Sequence, residues 1–179
     1  MPGQLNGSAS PDDVLITNAG TYTVVLDLGS SPNYWDIRTL ALGAGNGTGV
    51  QTLAVTNKIL YVDPMTINAG GVLADQGSSF HAAITVADGG RLNSVNGTYF
   101  VNPLTIANGG EMAANGNYAY VIFHGNTLVD NGGLLTIPGD AQVAHDGSLT
   151  VLGGGLASIP NGRLFLYGPM TNSGTVNLT

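Results

Sequence analysis

The chain contains no cysteine, which excludes disulfide scaffolds and thiolate metal sites alike. Charge is nearly as scarce. Only 8% of residues are Asp, Glu, Lys or Arg, against about 25% in average proteins. Helix surfaces depend on those residues, and no segment sustains a 3.6-residue apolar stripe with charged flanks. Four basic residues face eleven acidic ones, for a net charge of −7. Arg38, Lys58, Arg91 and Arg163 lie far apart in sequence. That spacing excludes a nucleic-acid surface, which needs several cations to displace phosphate counterions. It equally excludes a polybasic membrane surface. Apolar runs fall short of the roughly 18 residues that a spanning helix needs, so no membrane insertion is expected. The first residues, Met1 to Asp13, lack the apolar stretch of a secretory leader. We expect residues 1–13 to form a polar arm or cap and residues 14–179 a single domain.

What is abundant is glycine, with 28 residues, alongside a hydrophobic content of 43%. The glycines belong to a repeat: an apolar–Thr–apolar triplet, two small or polar residues, a Gly pair, then an apolar residue. Met65-Thr66-Ile67 precedes Gly70-Gly71, and Ile84-Thr85-Val86 precedes Gly89-Gly90. Leu104-Thr105-Ile106 precedes Gly109-Gly110, and Leu149-Thr150-Val151 precedes Gly153-Gly154-Gly155. Anchored on Gly20, Gly45, Gly70, Gly89, Gly109, Gly132, Gly154 and Gly174, the spacings are 25, 25, 19, 20, 23, 22 and 20. Period-2 alternation buries the outer two residues of each triplet and turns Thr outward. The Gly pair supplies positive φ at the corner. One such unit cannot bury its apolar side, but stacked units can. The pattern predicts an all-β, right-handed parallel β-helix of about eight coils, each a strand, a turn and a strand. An antiparallel sandwich also has short strands and Gly-rich turns, but it does not return the same triplet in register. A left-handed hexapeptide helix needs a strict six-residue rhythm that the drifting period lacks.

The opening Pro11-Asp12-Asp13-Val14-Leu15-Ile16, followed by Gly20-Thr21-Tyr22-Thr23-Val24, resembles the start of β-helical segments in autotransporter passengers and filamentous-haemagglutinin-like surface proteins. The Leu-Thr-Ile-x-x-Gly-Gly copies are similar to their coils. The resemblance covers most of residues 11–179 and implies a β-helical fold more than a function. The chain departs from that group in being short and in showing neither a signal peptide nor a translocator barrel.

Catalysis and metal binding find little support in the sequence. Glycosidases need two carboxylates on one groove. Asp63, Asp75, Asp88, Asp130, Asp140 and Asp146 fall at different offsets from their Gly anchors. Asp12-Asp13 and His145-Asp146 are sequence neighbours, which point oppositely in a strand and read as solvated turn residues. His81, His124 and His145 lie 11, 15 and 13 residues after their anchors. Coiling brings His124 and His145 near one another, but no third ligand is identifiable. No catalytic residue, metal or cofactor is therefore expected. The Thr column suits exposed strands better than an ice-binding face.

Two segments invite partners instead. Tyr118 to His124 is apolar on both strand faces, so Tyr118, Tyr120, Ile122 and Phe123 are candidate interface residues, with Tyr99 and Phe100 extending the patch. The final Thr175-Val176-Asn177-Leu178-Thr179 runs mid-alternation with no polar capping helix after it, which adds Val176 and Leu178. The leading expectation is a non-enzymatic, self-associating exterior component, such as a phage capsid decoration or fibre protein on the virion. It would be a homo-oligomer, with a trimer among the open arrangements, or would dock on a capsid or surface platform. The alternative is a secreted or cell-surface adhesin or autotransporter passenger module that binds glycans or a host surface, and a polysaccharide lyase or hydrolase ranks below both.

Overall fold

Each apolar–Thr–apolar triplet is a three-residue strand whose outer residues are buried, as at Met65–Ile67, Ile84–Val86 and Leu104–Ile106. These strands pair in parallel with their counterparts one coil away, with Met65 opposite Ile84 and Ile84 opposite Leu104. The computed structural model describes residues 11–26, 34–46, 48–115 and 120–178. It is a parallel β-solenoid with no helix among those residues. Successive strands fall into three sheets in turn, and every strand pairs only with those one coil before and after it. Sheet A carries the triplets and has eight strands, sheet B follows the Gly corner with eight, and sheet C closes the coil with seven. The expected stack of coils is therefore present. Its unit differs, because each coil has three strands rather than two. The strands of sheet C are as short as Tyr99–Phe100 and carry no recurring triplet.

Sheet A lines the interior with two columns. One runs through Leu40, Met65, Ile84, Leu104, Thr127 and Leu149, the other through Leu42, Ile67, Val86, Ile106, Val129 and Val151. Sheet B contributes Leu53, Leu73, Leu92, Met112 and Leu135 in one line. Sheet C adds an aromatic ladder. Phe80, Phe100, Phe123 and His145 stack in consecutive coils with ring centroids 5.5, 5.1 and 5.3 Å apart and planes within 18° of parallel. The solenoid brings identical positions to one coil rise, about 4.8 Å, so like side chains stack in offset rows.

That ladder corrects two expectations. Phe100 and Phe123 are each 1% exposed and belong to the core, so neither forms part of an outer patch. Pleating turns Tyr99 and Ile122 outward and Phe100 and Phe123 inward, and the interior needs the larger apolar rings. Tyr118 lies outside the described residues. Asp13 begins the first described strand, Asp13–Ile16. Its carboxylate accepts hydrogen bonds from Arg38 and from the Thr39 hydroxyl, which hold its pKa down at about 2. The outward Thr column is real at Thr66, Thr85 and Thr105, then broken by Leu128 before Thr150 and Thr171.

Candidate functional site

The outer face of sheet C concentrates the polar aromatic side chains. Its strands follow a corner whose length varies between coils, and they end three or four residues before the next triplet. Counting from that end, one outward column reads Asp36, Tyr61, His81, Val101, His124, Asp146 and Tyr167. The next column over reads Tyr34, Ile59, Ser79, Tyr99, Ile122, Ala144 and Phe165. Tyr34, Tyr61, Tyr99, Tyr120, Phe165 and Tyr167 are all solvent-exposed. Five coil steps separate Tyr61 from Tyr167, a length of roughly 24 Å along the axis at about 4.8 Å per step.

Two clusters stand out on this face. In the first, Tyr61 and His81 stack at 4.5 Å, with Tyr34 edge-on to Tyr61 at 6.4 Å. Asp36, Arg38 and Asp63 join Tyr61 and His81 around one shallow recess. Arg38 is held by Asp13 through two hydrogen bonds, and Asp36 and Asp63 are the carboxylates that line the recess. In the second, His124 Nδ1 lies 2.7 Å from Asp146 Oδ2, and the Tyr99 ring lies parallel to the imidazole at 6.2 Å. A carboxylate only accepts, so Nδ1 carries the proton in that bond. Beyond them, Tyr120 and Phe165 meet at 6.4 Å.

Of the sequence-derived interface residues, Tyr99 and Tyr120 stand exposed on this face and Ile122 is half-buried there. Val176 packs partly against the core, and Leu178 is 73% exposed at the edge of the last described coil, away from sheet C. The structure separates His124 from His145. The first is outside with Asp146, whereas the second points inward. His145 Nδ1 donates to the Gly147 carbonyl at 3.0 Å, so Nε2 accepts from the Thr127 hydroxyl at 2.8 Å. Burial pushes its pKa down and favours this neutral form. Among the described residues no three His, Asp or Glu side chains gather as a metal site.

Asp36, Tyr61, His81 and Tyr167 were missed as site residues. Forward counting from a Gly anchor adds the variable corner between sheets B and C to each offset. Backward counting from the following triplet removes most of it: His81, Val101, His124, Asp146 and Tyr167 stand three residues ahead of their triplet, and Asp36 and Tyr61 four. Asp75, one of the acids at scattered offsets, is 3% exposed. Its Oδ2 accepts from the Thr98 hydroxyl, and burial raises its pKa to about 6. Comparison with family models, with curated proteins and with solved structures returned no match.

Proposed function

We propose that this chain is a non-enzymatic binding module that holds glycan on the outer face of sheet C. The observation that supports this reading is the column of Tyr, His and Asp side chains repeated at the coil rise and interrupted by Val101. Tyrosine and histidine offer an apolar ring body with a polar tip, and carboxylates accept hydroxyl protons. Together they match the alternation of C–H and O–H groups on a sugar. A rigid solenoid also fixes these side chains before binding, which lowers the ordering cost. The setting that suits this activity is a secreted or cell-surface adhesin.

The test is retention on a panel of immobilised polysaccharides. Wild-type protein should bind at least one, and Tyr61→Ala/Tyr99→Ala should lose that binding while melting at an unchanged temperature. Equal retention of the double variant, or no retention of either protein, would sink the reading.

The exposed edge of the last described coil favours a second reading, the self-associating exterior component of a virion. Leu166, Met170 and Leu178 lie open there. A second copy stacked on this edge would cover them and pair the free strand edges. Light scattering across a concentration range decides it. A monomer at every concentration excludes this reading.

A further inference from the structure

Resting on the glycan reading above, we infer that the sheet C face takes an uncharged, extended glycan of about five to six hexoses lying along the solenoid axis, and that it excludes polyanionic glycans. The length follows from the roughly 24 Å between Tyr61 and Tyr167 and from the linear order of the column, one side chain per coil at about 4.8 Å. A β-1,4-linked hexose chain is a nearly straight ribbon whose advance per sugar is close to that rise. Successive sugars, alternating in the face they present, therefore meet successive coils with little drift. A compact or strongly helical glycan does not.

The exclusion of anions follows from which groups stand along the column. Asp36 and Asp63 flank the Tyr61–His81 stack, and Asp146 sits beside His124. Carboxylates accept hydrogen bonds and cannot donate them, so the ligand must bring donors. Sugar hydroxyls supply donors, whereas a uronate or sulfate places a second anion against each aspartate. The guanidinium of Arg38, which lines the same recess, is committed to Asp13 through two hydrogen bonds. Arg163 lies at the other end of the sheet, in the column of Tyr120 and Gln142. The whole chain carries −7, so its long-range field also repels polyanions.

Titration calorimetry with cellotriose, cellohexaose, β-1,4-mannotriose, β-1,4-mannohexaose and β-1,4-hexamannuronate tests both parts, because the mannuronate keeps the β-1,4 ribbon and adds only charge. We expect at least one neutral hexamer to bind, at least 10-fold more tightly than hexamannuronate. For cellohexaose against cellotriose, or for mannohexaose against mannotriose if mannan is the ligand, the gain is also at least 10-fold. Asp36→Asn/Asp63→Asn should bring hexamannuronate to within a few-fold of the neutral hexamer, with the melting temperature as the control for folding. Hexamannuronate binding as tightly as the neutral hexamers, or no response to the double variant, would overturn the exclusion while leaving glycan binding intact. Equal affinity for trimer and hexamer would overturn the axial site. Silence of every oligomer would overturn this inference and the proposed function together.

Discussion

Two buried ionisable residues give the solenoid opposing responses to acid. Asp75 points into the interior beside Ser94, its register partner in the next coil. Its Oδ1 and the Ser94 Oγ are both buried without a partner. The cost of ionising it there raises its pKa from 3.8 to about 6, despite hydrogen bonds from Ser78 and Thr98. The folded state thus binds this proton more tightly than the unfolded chain does. The resulting stabilisation is complete below pH 3.8 and is lost as pH rises through about 6. A shift of that size corresponds to about 3 kcal/mol. His145 acts in the other sense. Its pKa is lowered by burial from 6.5, so it favours the fold above that pH and weakens it as pH falls. Between pH 7.5 and 5 the two partly cancel in the wild type. Asp75→Asn should therefore leave a protein whose chemical-denaturation midpoint falls on acidification. His145→Phe, which extends the Phe ladder but strands the Thr127 hydroxyl, should leave one whose midpoint rises. Parallel pH profiles in the two variants would contradict this assignment. Glycine shows a similar division of labour within one pair. Gly109 has φ +73°, but Gly110 has no positive φ; a Cβ at Gly110 would strike the Val86 carbonyl of the preceding coil. Gly110→Ala should cost at least about 2 kcal/mol through overpacking against backbone. Gly97→Asn should cost less than about 1 kcal/mol, because its φ of +77° is open to asparagine and a Cβ there meets nothing within 4 Å.

At the scale of the strand, inward and outward neighbours do different work. Phe100→Ala removes the middle ring of the ladder and should destabilise by about 3–5 kcal/mol. Tyr99→Ala, one residue away and 42% exposed, should change stability by no more than about 0.5 kcal/mol. Urea denaturation of the two variants measures both, and a large loss from Tyr99→Ala would mean that its ring supports the sheet. This alternation also explains how much the sequence reveals. Sheet A was legible because Met65-Thr66-Ile67 and its copies keep one length and one chemistry in coil after coil. The corner after it was legible because a close approach to the preceding backbone admits only glycine at Gly90 and Gly110. Sheet C was not legible as a face. Its inward positions hold Trp35, Leu60, Phe80, Phe100, Phe123 and His145, which share size rather than type. Its outward positions mix Tyr, His, Val and Asp, and the corner before it changes length. Aromatic residues therefore read as one apolar patch at Tyr99-Phe100 and at Tyr120 to Phe123, where the pleat divides them between core and surface.

On the scale of the molecule, a solenoid is held by nearest-neighbour coils, so protection should depend on how many neighbours a coil has. The central coils, which contain Ile84–Val86, Leu104–Ile106 and Thr127–Val129, are paired on both sides and bury their inward side chains fully. The last described strands, Arg163–Leu166, Met170–Asn172 and Thr175–Leu178, are paired on one side within the chain. Their inward positions show the consequence. Leu166 and Met170 are each 37% exposed, whereas His145 and Leu149, one coil earlier in the same columns, are 1% and 0% exposed. Hydrogen exchange followed by mass spectrometry should therefore find the slowest amides in the central coils and fast ones in both outermost described coils, residues 163–178 among them, at dilute protein. Raising the concentration separates the two readings of this edge. If it stays fast at every concentration, no second copy covers this edge, and self-association through it is ruled out. If it becomes as slow as the centre only when the protein is concentrated, a second copy covers the edge, and the solenoid is a unit of an assembly.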